Sequence, residues 1–85
     1  MGFIFKLVGY DRKTDRLTEE FEIPAAAFPL AKRTAGIDPE SQGPFGDYPL
    51  SDEKAVRLAH QIGLTIAPAR NEYFLETYRP RRKHA

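Results

Sequence analysis

The sequence contains no cysteine and no tryptophan, and it has only two serines and two histidines. Without cysteine the chain can form neither disulfides nor thiolate metal sites, and it has no cysteine nucleophile. This composition fits a reducing cytoplasm, which is the compartment we expect. A fold of 85 residues must then be held together by packing alone.

Long apolar runs are also absent. No stretch approaches the roughly 18 apolar residues of a membrane-spanning helix, and the opening MGFIFKLVGY lacks the basic start and long apolar centre of a secretion signal. We therefore expect no membrane association. The chain does have 41% hydrophobic and 29% charged residues, which is enough apolar surface for one compact domain.

Charge is unevenly distributed along the chain. Residues 1–78 hold nine Lys/Arg and twelve Asp/Glu, a net charge of −3, whereas the ending RPRRKHA is strongly basic. We predict one domain over residues 1–78 and a basic, disordered tail over residues 79–85. The candidates for phosphate contacts are the basic side chains of this tail, Arg79, Arg81, Arg82 and Lys83.

The first part of the chain predicts a β-hairpin. Residues 3–9 and 17–23 are rich in aromatic and β-branched residues and are separated by the polar stretch DRKTD. With Phe5 opposite Phe21, one face is apolar and the other is polar. The predicted apolar face of the second strand consists of Leu17, Glu19, Phe21 and Ile23.

Two helices are predicted after the hairpin. Pro29 suits the first turn of a short helix that ends at Gly36, and Ser51 can cap a second helix over residues 52–62. The proline- and glycine-rich residues 38–49 between them predict a loop. The stripe of the second helix that should face the sheet is Ala55, Leu58, Ala59 and Ile62.

Residues 64–67 suggest a short extended piece, and residues 73–78 a last strand that is apolar on both faces. Because two-faced strands are usually central, we place the last strand beside the first and the second at an edge. The predicted fold is α+β, with element order β-β-α-α-β. It consists of a three- to four-stranded antiparallel sheet with two helices packed on one face.

The second face of this sheet is the candidate functional surface. Both helices are needed to cover the first face, so the second is left with exposed apolar side chains, which commonly mark an interaction surface. A homodimer or a protein partner could cover it, and so could the loop at residues 38–49. The predicted partner-binding residues are Ile4, Val8, Phe74 and Tyr78.

Catalytic chemistry has little support. His60 has no partner at a suitable spacing, so a catalytic role would require folding to gather it with Asp47, Glu53 or Tyr48. We predict no enzyme activity, no catalytic residues and no cofactor.

A metal site is equally poorly supported. Asp38, Glu40 and Gln42 resemble the start of a calcium loop, but the twelfth position is Pro49 where a bidentate glutamate is required. Two distant histidines do not make a zinc site.

The function that we predict is a non-enzymatic interaction module that uses the second sheet face. The alternative is a nucleic-acid-associated protein that uses the basic tail. The acidic body and the lack of a helix with one basic face argue against this alternative.

Three stretches, VGYDRKTDRLTEEFEIP, DYPLSDEKAVRLAHQIG and YFLE, resemble a family of small uncharacterised bacterial proteins, a domain of unknown function. The resemblance implies a bacterial, cytoplasmic α+β domain with no assigned activity. The basic ending lies outside it.

Overall fold

The computed structural model describes residues 4–37 and 46–78. They form an α+β fold with a four-stranded antiparallel sheet of order β2-β1-β4-β3 and two α-helices, which confirms the predicted fold class. The predicted order of the second, first and last strands is also correct. The elements are β1 (Ile4–Asp11), β2 (Leu17–Glu22), a 3-10 turn (Ala25–Ala27), α1 (Phe28–Ala35), β3 (Asp47–Leu50), α2 (Asp52–Gln61) and β4 (Asn71–Tyr78).

The hairpin forms as predicted, but its register differs. The Asp11 carboxylate accepts hydrogen bonds from the backbone N–H groups of the turn, which stabilise the turn and lower the pKa of Asp11. The predicted pairing of Phe5 with Phe21 is wrong by two residues, since Phe21 lies opposite Leu7. A shift of two residues leaves every side chain on its predicted face, because side chains alternate with period two. Leu17 is the exception, because it pairs with Tyr10 beyond a register shift and is 50% exposed.

Both helices begin and end where local chemistry predicts. Gly36 follows α1 in the left-handed conformation, and the Ser51 side chain accepts a hydrogen bond from the Lys54 backbone N–H at the start of α2. Glu53 and Arg57 form an ion pair one turn apart on α2, with 3.4 Å between their charged atoms.

The end of the predicted loop, residues 47–49, is wrong. Asp47–Leu50 forms β3, which pairs with β4 at the edge of the sheet. Pro49 is compatible with this position because an edge strand does not need every backbone donor. Residues 38–45 of the predicted loop lie outside the described residues, and the extended piece predicted at residues 64–67 is not a strand.

The core lies between the helices and one face of the sheet. Each large apolar side chain buried there contributes about 1.5–3 kcal/mol relative to an exposed one. Tyr73 is the largest of them and is anchored by its hydroxyl, which donates to Glu19 and accepts from the Ala67 backbone N–H at 3.0 Å. The central members of this core are Phe5, Leu7, Ile23, Ala31, Ala55, Leu58, Ala59, Tyr73 and Leu75.

A substitution at Gly9 tests the packing of the Tyr73 ring against β1. A Cβ atom at position 9 would lie 2.7 Å from Tyr73 Cε1, and this ring is buried and anchored by its hydroxyl. We expect Gly9→Ala to lower the free energy of unfolding by about 1–3 kcal/mol, measured by urea denaturation. In a Tyr73→Leu background, which removes the contacting atom, the same substitution should cost much less. Equal costs in both backgrounds would contradict this contact.

Candidate functional site

The side of the sheet opposite the helices is the candidate site, and we call it the open face. Both helices pack on the side that carries Phe5, Leu7 and Leu75. Among the described residues, no helix or strand packs against the other side. Strand alternation and register place on the open face Ile4, Lys6, Val8 and Tyr10 of β1, Glu20 and Glu22 of β2, Asp47 and Pro49 of β3, and Glu72, Phe74, Glu76 and Tyr78 of β4.

A buried carboxylate lies at the centre of the open face. Glu76 is only 6% exposed, and its two oxygens accept separate hydrogen bonds, one from the Tyr10 hydroxyl at 2.7 Å and one from the Tyr78 hydroxyl. These bonds hold both tyrosine rings in fixed positions on β1 and β4. The ring of Tyr10 also contacts Phe74 edge-on, with 5.6 Å between the ring centroids. The face is therefore ordered before any partner binds.

The Glu76 carboxylate also controls the ionisation of both tyrosines. Its hydrogen bond, followed by burial, raises the pKa of Tyr10 from 10.0 to about 12. The same two causes raise the pKa of Tyr78 well above its ordinary value. A phenolate beside a carboxylate would lose the hydrogen bond and gain charge repulsion, so both hydroxyls remain protonated donors at neutral pH.

A lysine on the open face lies between a carboxylate and an aromatic ring. Lys6 Nζ is 3.2 Å from Glu20 Oε2 and 4.9 Å from the centroid of the Tyr78 ring. This combination of an ion pair and a cation–π contact is a common way to hold a cation on a protein surface.

The structure brings the four predicted partner-binding residues together. Ile4 lies opposite Tyr78, and Val8 lies opposite Phe74, on adjacent strands of the open face. Val8 is only 1% exposed, so it offers almost no surface to a partner. Ile4 and Phe74 are half-buried, and Tyr78 is 36% exposed.

One end of the open face contains a cavity of about 290 Å³, which we call the acidic cavity. Sequence reasoning missed it, although Tyr10, Glu72 and Glu76 share the strand parity of Val8 and Phe74 and could have been assigned to the same face. Asp15, in the hairpin turn, gave no such signal. The cavity is lined by Tyr10, Asp15, Asp47, Glu72, Phe74 and Glu76.

His60 lies away from the carboxylates with which the sequence analysis grouped it. It is exposed at the end of α2, beside an otherwise largely apolar groove whose lining includes neither Asp47 nor Glu53. Within residues 4–37 and 46–78, no cluster of three or more His, Asp or Glu side chains could hold a metal ion. The calcium-like residues Asp38, Glu40 and Gln42 lie outside the described part of the chain. That the chain is not an enzyme remains a prediction.

The predicted phosphate contacts, Arg79, Arg81, Arg82 and Lys83, also lie outside the described residues. In the part of the chain that the structure describes, no helix has the length and apolar character needed to cross a membrane.

Comparison with known proteins identifies the family of the chain. A family model described as a domain of unknown function, DUF7683, matches residues 4–76. The chain belongs to this family, which confirms the predicted membership of a domain family of unknown function. No curated protein and no solved structure matches the chain.

Alkaline titration tests the arrangement around Glu76. Because the folded pKa of Tyr10 is above its ordinary value, the stabilisation from its hydrogen bond is fully present below pH 10 and is lost as the pH rises through about 12. The Tyr10 contribution to the ultraviolet phenolate signal is the part that Tyr10→Phe removes. We expect this contribution to titrate near pH 12, and circular dichroism monitors the fold during the titration. Glu76→Gln should move that signal toward the ordinary value. A Tyr10 signal that titrates near 10 in the folded protein would contradict the hydrogen bond.

Proposed function

We propose that this protein is a small, non-enzymatic interaction module that binds a protein partner through the open face. The observation that supports this most strongly is an ordered sheet surface with aromatic and apolar side chains that no described helix or strand covers. Aromatic residues are enriched in protein interfaces because they bury a large area at a small cost in conformational entropy. Tyr10 and Tyr78 are already fixed by Glu76, so binding would order few additional side chains.

The charge of the open face favours a different protein over a second copy. Its described residues include five carboxylates, those of Glu20, Glu22, Asp47, Glu72 and Glu76, and one lysine, Lys6. A symmetric dimer through this face would place the same acidic surface on both sides, and like charges across an interface oppose association. Among the described residues, Lys6 forms its ion pair with Glu20.

The same charge argues against nucleic acid as the ligand of this surface, because phosphates would be repelled by it. The alternative based on residues 79–85 makes a separate prediction. Removing these residues should then abolish binding to nucleic acid, and the affinity should fall steeply with salt. A mobility shift assay that shows no complex at low salt would remove this alternative.

The cytoplasm is the compartment that we propose for this module. The chain contains no cysteine, so its folding needs no oxidising compartment.

Site-specific photo-crosslinking tests the proposed docking surface. A photoreactive phenylalanine analogue at Tyr78 should yield a covalent adduct with one other protein in the native cell. Position 56 provides a matched control, because Val56 on α2 is 46% exposed against 36% for Tyr78 but lies on the opposite side of the molecule. Phe74→Asp, which adds a charge to the half-buried aromatic surface, should abolish the adduct while circular dichroism shows the fold intact.

Two outcomes would contradict the proposal. An identical adduct from position 56 would show that crosslinking does not depend on the open face. An adduct consisting only of two copies of the chain, with a concentration-dependent dimer in sedimentation velocity, would show self-association in place of a different partner.

A further inference from the structure

We propose that the partner presents a basic segment and that an arginine or lysine of this segment occupies the acidic cavity. This inference rests on the proposed function and specifies the chemistry of the partner.

The first argument is the unbalanced charge of the acidic cavity. Asp15, Asp47 and Glu72 form no ion pair with any lysine or arginine in the part of the chain that the structure describes. Their proximity therefore creates a local negative potential that a bound cation would relieve. Glu76 contributes to the same potential although its oxygens accept hydrogen bonds, since its tyrosine donors are neutral.

The second argument is that the open face already holds one cation, that of Lys6, between a carboxylate and an aromatic ring. Lys6 lies between the carboxylate of Glu20 and the ring of Tyr78. The acidic cavity repeats this combination with the paired rings of Tyr10 and Phe74 beside carboxylates. Aromatic rings next to carboxylates attract a cation through both its charge and its interaction with the ring.

The third argument is the size and polarity of the acidic cavity. Small-molecule pockets usually enclose about 300–1,000 Å³ and are mostly apolar. This cavity, at about 290 Å³, lies at the lower end of that range, and its four carboxylates match one long basic side chain better than a mostly apolar cofactor. The methylene groups of lysine or arginine could pack on Phe74 while the charged end reaches Asp47 and Glu72.

A direct binding experiment tests the basic partner. The probe is a short fluorescein-labelled peptide of alternating arginine and valine, and fluorescence anisotropy with the full chain measures its affinity. The comparison probes replace every arginine with neutral citrulline or with glutamate. We expect the arginine probe to bind most tightly and its affinity to fall as salt is added, because the contact is between charges.

Paired variants locate the binding site. The double variant Asp47→Asn with Glu72→Gln should weaken binding of the arginine probe by about 10-fold, because two charge contacts are lost. Glu53→Gln is the matched control, because it removes a similar exposed charge from α2 on the other side of the sheet. It should leave the affinity unchanged. Equal losses in the double variant and the control would overturn the assignment to the acidic cavity.

The basic residues of the chain's own ending could compete with the probe. The measurement is therefore repeated on the full chain with Arg79→Gln, Arg81→Gln, Arg82→Gln and Lys83→Gln. Tighter binding of the arginine probe by this variant, still dependent on Asp47 and Glu72, supports the inference. No binding by either form of the chain overturns it.

The two proposals fail in different ways. If citrulline and arginine probes bind equally, or if neither binds, the basic partner is wrong. Crosslinking through Tyr78 would still report whether the open face is a docking surface.

Discussion

β1 and β4 pair along their whole lengths, from Ile4 opposite Tyr78 to Asp11 opposite Asn71. These central strands carry large side chains on both faces, and residues 4–37 and 46–78 contain two short α-helices with which to cover them. The helices cover the face with Phe5, Leu7 and Leu75. The other face is left without a described helix, and this is the origin of the open face.

The open face is stabilised differently from the helix-covered core. Its centre is the carboxylate of Glu76, and a charge so deeply buried must be hydrogen-bonded to be tolerated. Tyr10 and Tyr78 provide the two donors, one to each oxygen of the carboxylate. The arrangement shields apolar surface without an additional helix and leaves Phe74 and Tyr78 partly accessible. Such a surface is stable alone and remains suited to docking.

The open face is acidic, and this charge affects which partner it can bind. Acidic side chains of β2, β3 and β4 lie on the open face, while α2 on the other side of the sheet balances Glu53 with Arg57. Long-range electrostatic forces mainly affect the rate and selectivity of association, and the aromatic side chains affect its strength. The open face has both acidic and aromatic side chains. This chemistry favours a basic protein segment as the partner.

The sequence by itself determined the local elements, because caps, turns and side-chain alternation depend on neighbouring residues. Ser51, Gly36 and the hairpin were predictable for this reason, as was the order of β2, β1 and β4 from their apolar faces. Only the tertiary structure decided the two-residue register, the pairing of β3 with β4, and the meeting of Tyr10 with Glu76 across 66 positions. These depend on packing between distant segments, and a shift of two residues preserves the same alternation, so no local pattern distinguishes one register from the other.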